Sequence, residues 1–120
     1  MHVSVQRESP DVISVELSGR LNSQEWHTAL DDVSALLKPG ERTSILVAAE
    51  SFAGWEPGDW DDLSFQQKHD PQIRRIAIVT SEQWQDQARM FAGQGLRRVE
   101  IECFTPAEMP QARQWLTSAS

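Results

Sequence analysis

Histidine and cysteine most often supply metal ligands, nucleophiles and general bases, and this chain has four such residues. The histidines are His2, His27 and His69, and the single cysteine is Cys103. Their spacing pairs no histidine with another or with Cys103, so it predicts neither a zinc site nor a nucleophile–base pair. Cys103 falls in a predicted apolar strand, where a buried inert thiol is expected. The sequence therefore predicts no catalytic residue, no metal and no cofactor.

Carboxylates are the next group that could do chemistry, because Glu56, Asp59, Asp61 and Asp62 lie close together in the chain. They lack the glycine and the terminal glutamate of a calcium loop. At a helix start they match the positive end of the helix dipole, where they would repel an incoming phosphate. No glycine-containing loop of the chain fits a Walker or dinucleotide pattern. The pattern favours a helix start over a metal or nucleotide site.

Aromatic side chains are the remaining candidates for binding, since the chain has five tryptophans and no tyrosine. Phe52, Trp55, Trp60 and Trp84 come from segments that leave the carboxyl ends of predicted strands, where α/β proteins bind ligands. Large rings at one pole could line an apolar pocket or form an interaction patch. They could equally cap the core, because tryptophan is usually mostly buried. These four residues are the candidate ligand- or partner-binding site, and both interpretations stay open.

Paired arginines mark the opposite pole of the predicted domain. Arg74, Arg75, Arg97 and Arg98 lie near helix ends and strand starts, while the carboxylates gather near helix starts. Matching of each helix dipole explains this separation of charge. The alternative is a basic patch that docks an acidic partner or a membrane surface.

The elements that must position these side chains alternate between strands and helices. A starting hairpin followed by strand–helix alternation predicts the order β-β-α-β-α-β-α-β-α. That order indicates an α/β domain with a mixed, mostly parallel five-stranded sheet and helices packed on it. The predicted strands are 3–8, 12–20, 44–49, 73–80 and 99–104, with a loop carrying Phe52, Gly54 and Trp55 after the third. Four helices are predicted. The first is capped by Ser23, and the second begins near Pro57. The third is capped by Ser81, and the fourth opens with a capping box formed by Thr105 and Glu108.

Length and charge narrow the class of protein further. At 120 residues the chain is long enough for one domain, predicted over residues 1–120. A net charge of −7 argues against a general nucleic-acid binder, which needs a basic surface. No apolar run approaches the roughly 20 residues that span a bilayer, and no signal peptide is evident. With a single cysteine, a cytoplasmic location is expected.

Several segments, in order along nearly the whole chain, resemble a known family. They are FAGW (52–55), WDDLSF (60–65) with Lys68 and His69, RIAIV (75–79) with Trp84, and FTPAEMPQARQWL (104–116). In this combination the chain resembles the SpoIIAA-like family, which is related in fold to STAS domains, including anti-sigma-factor antagonists. The resemblance implies that fold and a non-enzymatic binding or regulatory role.

The resemblance also bears on regulation and on partners. A STAS antagonist is switched by phosphorylation of a serine or threonine at the start of the helix after the central strand. The corresponding stretch, residues 55–60, has no hydroxyl residue; Ser51 precedes it and Ser64 follows too late. The resemblance therefore implies a domain without that switch. The expected partner is then a protein, which includes a second copy of the chain in a homodimer. The alternative is an apolar small molecule or a lipid, and with a lipid the protein would have a peripheral membrane role.

Overall fold

The computed structural model describes residues 2–9, 11–37, 42–56, 72–92 and 99–117, in which the strands and α-helices follow in the order β-β-α-β-β-α-β-α. The predicted helix over 57–69 lies outside these residues. The strands are β1 (His2–Ser9), β2 (Val12–Leu21), β3 (Thr43–Trp55), β4 (Ile73–Thr80) and β5 (Glu100–Phe104). The helices are α1 (Ser23–Leu36), α2 (Glu82–Ala92) and α3 (Met109–Thr117), and a 3-10 turn, Pro106–Glu108, leads into α3.

The described strands form one five-stranded sheet in the order β1-β2-β3-β4-β5. β1 and β2 pair antiparallel, and each following pair is parallel. The central strands β3 and β4 are largely apolar, as expected for parallel strands that are covered on both faces. The predicted mixed, mostly parallel sheet is confirmed.

Each face of the sheet carries its own apolar core. On the first face, Val33 of α1 and Ala88 of α2 pack in a large cluster with alternate residues of the strands, such as Ile13 and Ile78. On the second face, α3 packs in a smaller cluster: Val12, Leu46, Ala77, Val79, Ala112 and Leu116. We call these the α1/α2 face and the α3 face. The helices therefore cover both sides of the sheet.

β3 is longer than the sequence predicts and corrects the assignment of the segment after Ala49. The strand continues to Trp55, so Phe52 and Gly54 belong to a strand and not to a loop. Between the pairs Glu16–Ala48 and Ser18–Ser51, β3 has one residue more than β2. Such a bulge reverses the side-chain alternation, because the period of a strand is two. It places Phe52 in the same cluster as Ala49.

The starts of α1 and α3 follow the predicted capping chemistry, with a shift of one residue at α1. Asn22, not Ser23, caps α1: its backbone is extended and its Oδ1 accepts from Glu25 N–H at 2.7 Å. Asn22 Nδ2 also donates to the Glu25 carboxylate at 3.0 Å. Before α3, Glu108 accepts from Thr105 N–H at 2.9 Å and from its hydroxyl at 3.1 Å. These bonds satisfy polar groups that a bare helix start leaves open.

Candidate binding site

Two of the four predicted aromatic residues meet at the carboxyl end of β3. Phe52 and Trp84 are both half-buried, and their rings pack edge to face with centroids 5.6 Å apart and an interplanar angle of 78°. Trp84 lies in the first turn of α2, where its N–H donates to Ser81 O at 3.0 Å. β3 and α2 therefore present one aromatic surface between them.

Gly54 allows this contact between strand and helix. It is buried, with a φ of 111°, and a Cβ there would lie 3.2 Å from Trp84 Cη2. Glycine inside a strand often marks such a close approach. We call Phe52, Gly54 and Trp84 the aromatic cluster. Trp55 ends β3, where it pairs with Leu21, but its side chain and the whole of Trp60 lie outside the described part of the chain.

The other two tryptophans belong to the cores, as their helical spacing predicts. Trp26 packs against the large cluster on the α1/α2 face. Trp115 packs against the smaller cluster on the α3 face, where its ring centroid lies 6.0 Å from that of Phe104. Phe104–Trp115 is thus a second aromatic pair, on the opposite face from Phe52–Trp84.

The arginines at the start of β4 do not form the exposed patch that the sequence suggests. Arg75 is only 6% exposed, its Nε donates to the Glu100 carboxylate at 2.7 Å, and its guanidinium lies 5.1 Å from the centroid of the Trp115 ring. Its Nη1 also donates to Trp115 O, and Arg74 donates to Leu116 O at 3.4 Å. The prediction is wrong for Arg75, which is buried and paired. Arg97 and Arg98 lie outside the described residues.

These contacts cap the carboxyl end of α3. α1 and α3 have no basic residue in their own last turn, and strands supply the cations in their place. Arg74 and Arg75 reach α3, and Arg7 of β1 donates to Leu36 O at the end of α1. Cations at this end stabilise the helix dipole. The dipole-matching interpretation accounts for Arg74 and Arg75.

Cys103 is half-buried, whereas the sequence analysis predicts a buried thiol. Burial raises the pKa of its thiol above the ordinary value, because it disfavours the thiolate; Arg89 acts in the opposite direction. Its Sγ lies 3.8 Å from Gln85 O, to which it donates weakly. Such a thiol is a poor nucleophile at neutral pH.

The described residues contain neither a cluster of metal-ligating side chains nor a helix that could span a membrane. Among them, no three His, Cys, Asp or Glu side chains lie close enough together to hold a metal ion. None of the helices in the described ranges is long and apolar enough to cross a membrane.

Buried hydroxyl groups are the feature that the sequence analysis missed. Thr80 and Ser14 are 1% and 3% exposed, and the oxygens of their side chains have no hydrogen-bond partner among the described residues. Alternation places Thr80 on the same side of β4 as the apolar Ile76 and Ile78, but it places Ser14 opposite Ile13 and Val15, together with the polar Glu16 and Ser18. The absence of a partner depends on neighbouring strands and helices, which periodicity does not give.

The fold and the site together define an α/β domain with an aromatic surface at its strand ends. A family model described as SpoIIAA-like matches residues 12–117. Because this match spans most of the chain, the protein belongs to the SpoIIAA-like family, and the resemblance seen in the sequence is confirmed. A search of curated proteins finds no match to the chain.

The solved structures that are similar to this chain include the following two. One is an uncharacterized protein of the DUF3478 family with a SpoIIAA-like fold from Shewanella loihica PV-4, with a TM-score of 0.71 and 20% identity over 96% of this chain and 92% of that one. The other is the anti-sigma factor antagonist SpoIIAA in its unphosphorylated form, with a TM-score of 0.62 and 11% identity over 98% of this chain and 100% of that one. At these identities the similarity shows the fold.

Proposed function

We propose that the protein is a non-enzymatic binding or regulatory domain whose contact site is the aromatic cluster. The observation that carries this proposal is the edge-to-face pair of Phe52 and Trp84, half-buried over Gly54 at the end of β3. Aromatic rings held in this way offer a large apolar area at low entropic cost, as interface anchors do. Trp55 and Trp60, which the sequence analysis also assigns to this site, follow in the chain.

A protein is the first proposed occupant. The similar SpoIIAA structure is that of an anti-sigma factor antagonist, which by its name acts on the function of another protein. A shared fold does not transfer a partner, so this likeness supports a protein partner as a class and gives no identity. The single cysteine suits a role in the cytoplasm.

We propose that no serine or threonine in or next to residues 55–60 serves as a phosphorylation switch for this domain. Residues 55–60 contain no serine or threonine, and carboxylates at 56 and 59 already supply negative charge there. A phosphate next to them would be repelled. Phosphate mapping by mass spectrometry on protein from its native cells tests this point; phosphate on Ser51 or Ser64 would contradict it.

Matched alanine variants of the two aromatic pairs test the site. Phe52→Ala and Phe104→Ala each remove a half-buried ring that packs on a tryptophan, but from opposite faces. We expect Phe52→Ala to weaken capture of partner proteins in quantitative pull-downs by tenfold or more, because an aromatic anchor is worth about 2 kcal/mol or more. Phe104→Ala should capture as the parent does. Equal capture by both variants would remove the aromatic cluster from the interface.

An apolar small molecule or a lipid is the alternative occupant. Phe52 packs against the large core cluster, so its ring can form the wall of an apolar site as well as an exposed patch. Native mass spectrometry of the purified protein and flotation with lipid vesicles examine this alternative. A protein that carries no small molecule and does not float with vesicles would rule it out.

A further inference from the structure

The hydroxyl of Thr80 is a buried polar group at the carboxyl end of β4. The residue is 1% exposed, and Oγ1 has no hydrogen-bond partner within the described ranges. Burial of a hydroxyl without a partner costs free energy, on the order of 1–3 kcal/mol in proteins. An exception of this kind needs a physical reason, and a bound molecule can supply the missing partner.

The position of Thr80 relates its hydroxyl to the aromatic cluster. Thr80 pairs with Ala49 of β3, three residues before Phe52. By strand alternation from Ile76 and Ile78, its side chain is on the α1/α2 face, where Ala49 and Phe52 also pack. Trp84 follows four residues later and packs against Gly54. The hydroxyl is therefore on the face, and at the strand ends, that the two rings occupy.

Charge at these strand ends restricts what could bind. At the end of β2, next to Phe52 and Trp55, one cation, Arg20, is outnumbered by the three carboxylates of residues 49–56 and 80–85: Glu50, Glu56 and Glu82. They disfavour an anionic ligand, since like charges repel. A charged group of either sign would also lose its hydration next to a fully buried hydroxyl. An uncharged polar group avoids both costs.

We propose that Thr80 and the aromatic cluster form one site for an uncharged amphiphile with a hydroxyl or amide head. The head exchanges a hydrogen bond with Thr80 Oγ1, and the apolar part contacts the rings of Phe52 and Trp84. This inference rests on the proposed role of the aromatic cluster and specifies the chemistry of its small-molecule occupant.

Amide NMR titration with 1-hexanol tests the proposal, with hexanoate and hexylamine as charged probes of the same length. We expect 1-hexanol to shift the signals of Thr80, Gly54 and the Trp84 indole N–H saturably. The two charged probes should bind at least tenfold more weakly. Absence of a saturable shift with 1-hexanol, or equal binding of all three probes, would overturn the proposal.

Thr80→Val isolates the hydroxyl, because valine keeps the shape and removes the oxygen. We expect the variant to bind 1-hexanol about five- to tenfold more weakly, as loss of one hydrogen bond implies. Its urea midpoint should stay equal to that of the parent or rise, because the free protein loses no hydrogen bond. Ser14→Ala is the matched control: it removes the other buried, unpartnered hydroxyl, and it should leave 1-hexanol binding unchanged.

The outcomes separate this inference from the proposed function. If Thr80→Val binds 1-hexanol as the parent does, the hydroxyl has no part in recognition and the inference fails. The pull-down comparison of Phe52→Ala with Phe104→Ala would still test the proposed protein interface independently. If Phe52→Ala keeps full capture of proteins while Thr80→Val loses 1-hexanol, the proposed protein interface fails and the amphiphile site stands.

Discussion

Gly54 shows how one residue sets the geometry of the candidate site. Its φ of 111° is a conformation that side chains with a Cβ rarely adopt, and its missing Cβ leaves the space that the Trp84 ring occupies. Two separate physical demands therefore meet at one position. Both come from the long course of β3, which the sequence analysis ended six residues too early.

Gly54→Ala should destabilise the protein more than replacement of a glycine that has a positive φ but no close neighbour, because the new Cβ at residue 54 would also contact Trp84. Gly19, at a φ of 72°, is the matched control in β2. We expect about 1 kcal/mol of destabilisation for Gly19→Ala from backbone strain, and about 2–3 kcal/mol for Gly54→Ala because Trp84 must also move. Urea unfolding measures both. Equal losses would mean that the contact between Gly54 and Trp84 adds nothing to stability.

At the scale of single elements, the start of α1 shows that the residue types alone do not identify the capping residue of a helix. Asn22 and Ser23 are both good capping residues, so the sequence does not decide between them. The structure does, because Asn22 has the extended backbone of a cap and exchanges two hydrogen bonds with Glu25. Helix boundaries shift by one residue for this reason.

Alanine variants of the two neighbours test which of them is the cap. Asn22→Ala should lower the free energy of unfolding by about 1 kcal/mol, because the N–H of Glu25 loses its acceptor. Ser23→Ala should change it by less than about 0.5 kcal/mol, since the first helical position needs no capping side chain. Urea unfolding of both variants makes the comparison. A larger loss for Ser23→Ala would restore Ser23 as the cap.

Across the whole molecule, periodicity predicted the order of the elements and the type of sheet, because each buried strand and helix has a clear apolar pattern. It did not predict which face a side chain reaches beyond a bulge. β4 has one residue more than β3 between the pairs Thr43–Ile73 and Ile45–Ile76. That bulge coincides with Arg74 and Arg75, which both reach α3. The candidate site was predicted in part, since strand ends located Phe52 and Trp84 but gave neither their contact nor Thr80.

The two faces of the sheet are separate cores, and this separation predicts how the molecule opens. α3 closes the smaller core, and Arg74, Arg75 and Ser44 all donate to carbonyl groups at its carboxyl end. α1 and α2 share the larger core. Loss of the contacts that hold α3 should therefore affect one face before the other, since regions with fewer buried contacts open at lower free energy.

Arg75→Met tests this with hydrogen exchange. Methionine keeps much of the apolar length but removes the hydrogen bond from Arg75 to Trp115 O and the ion pair with Glu100; loss of a hydrogen bond from a charged group costs about 1.5–3 kcal/mol. We expect faster amide exchange in α3, with α1 changed much less. Arg74→Met is the matched control, because it removes a neighbouring arginine whose bond to Leu116 O, at 3.4 Å, is shared with the Ser44 hydroxyl. Its α3 amides should exchange more slowly than those of Arg75→Met. Equal acceleration in α1 and α3 would instead mean that the two cores open as one cooperative unit.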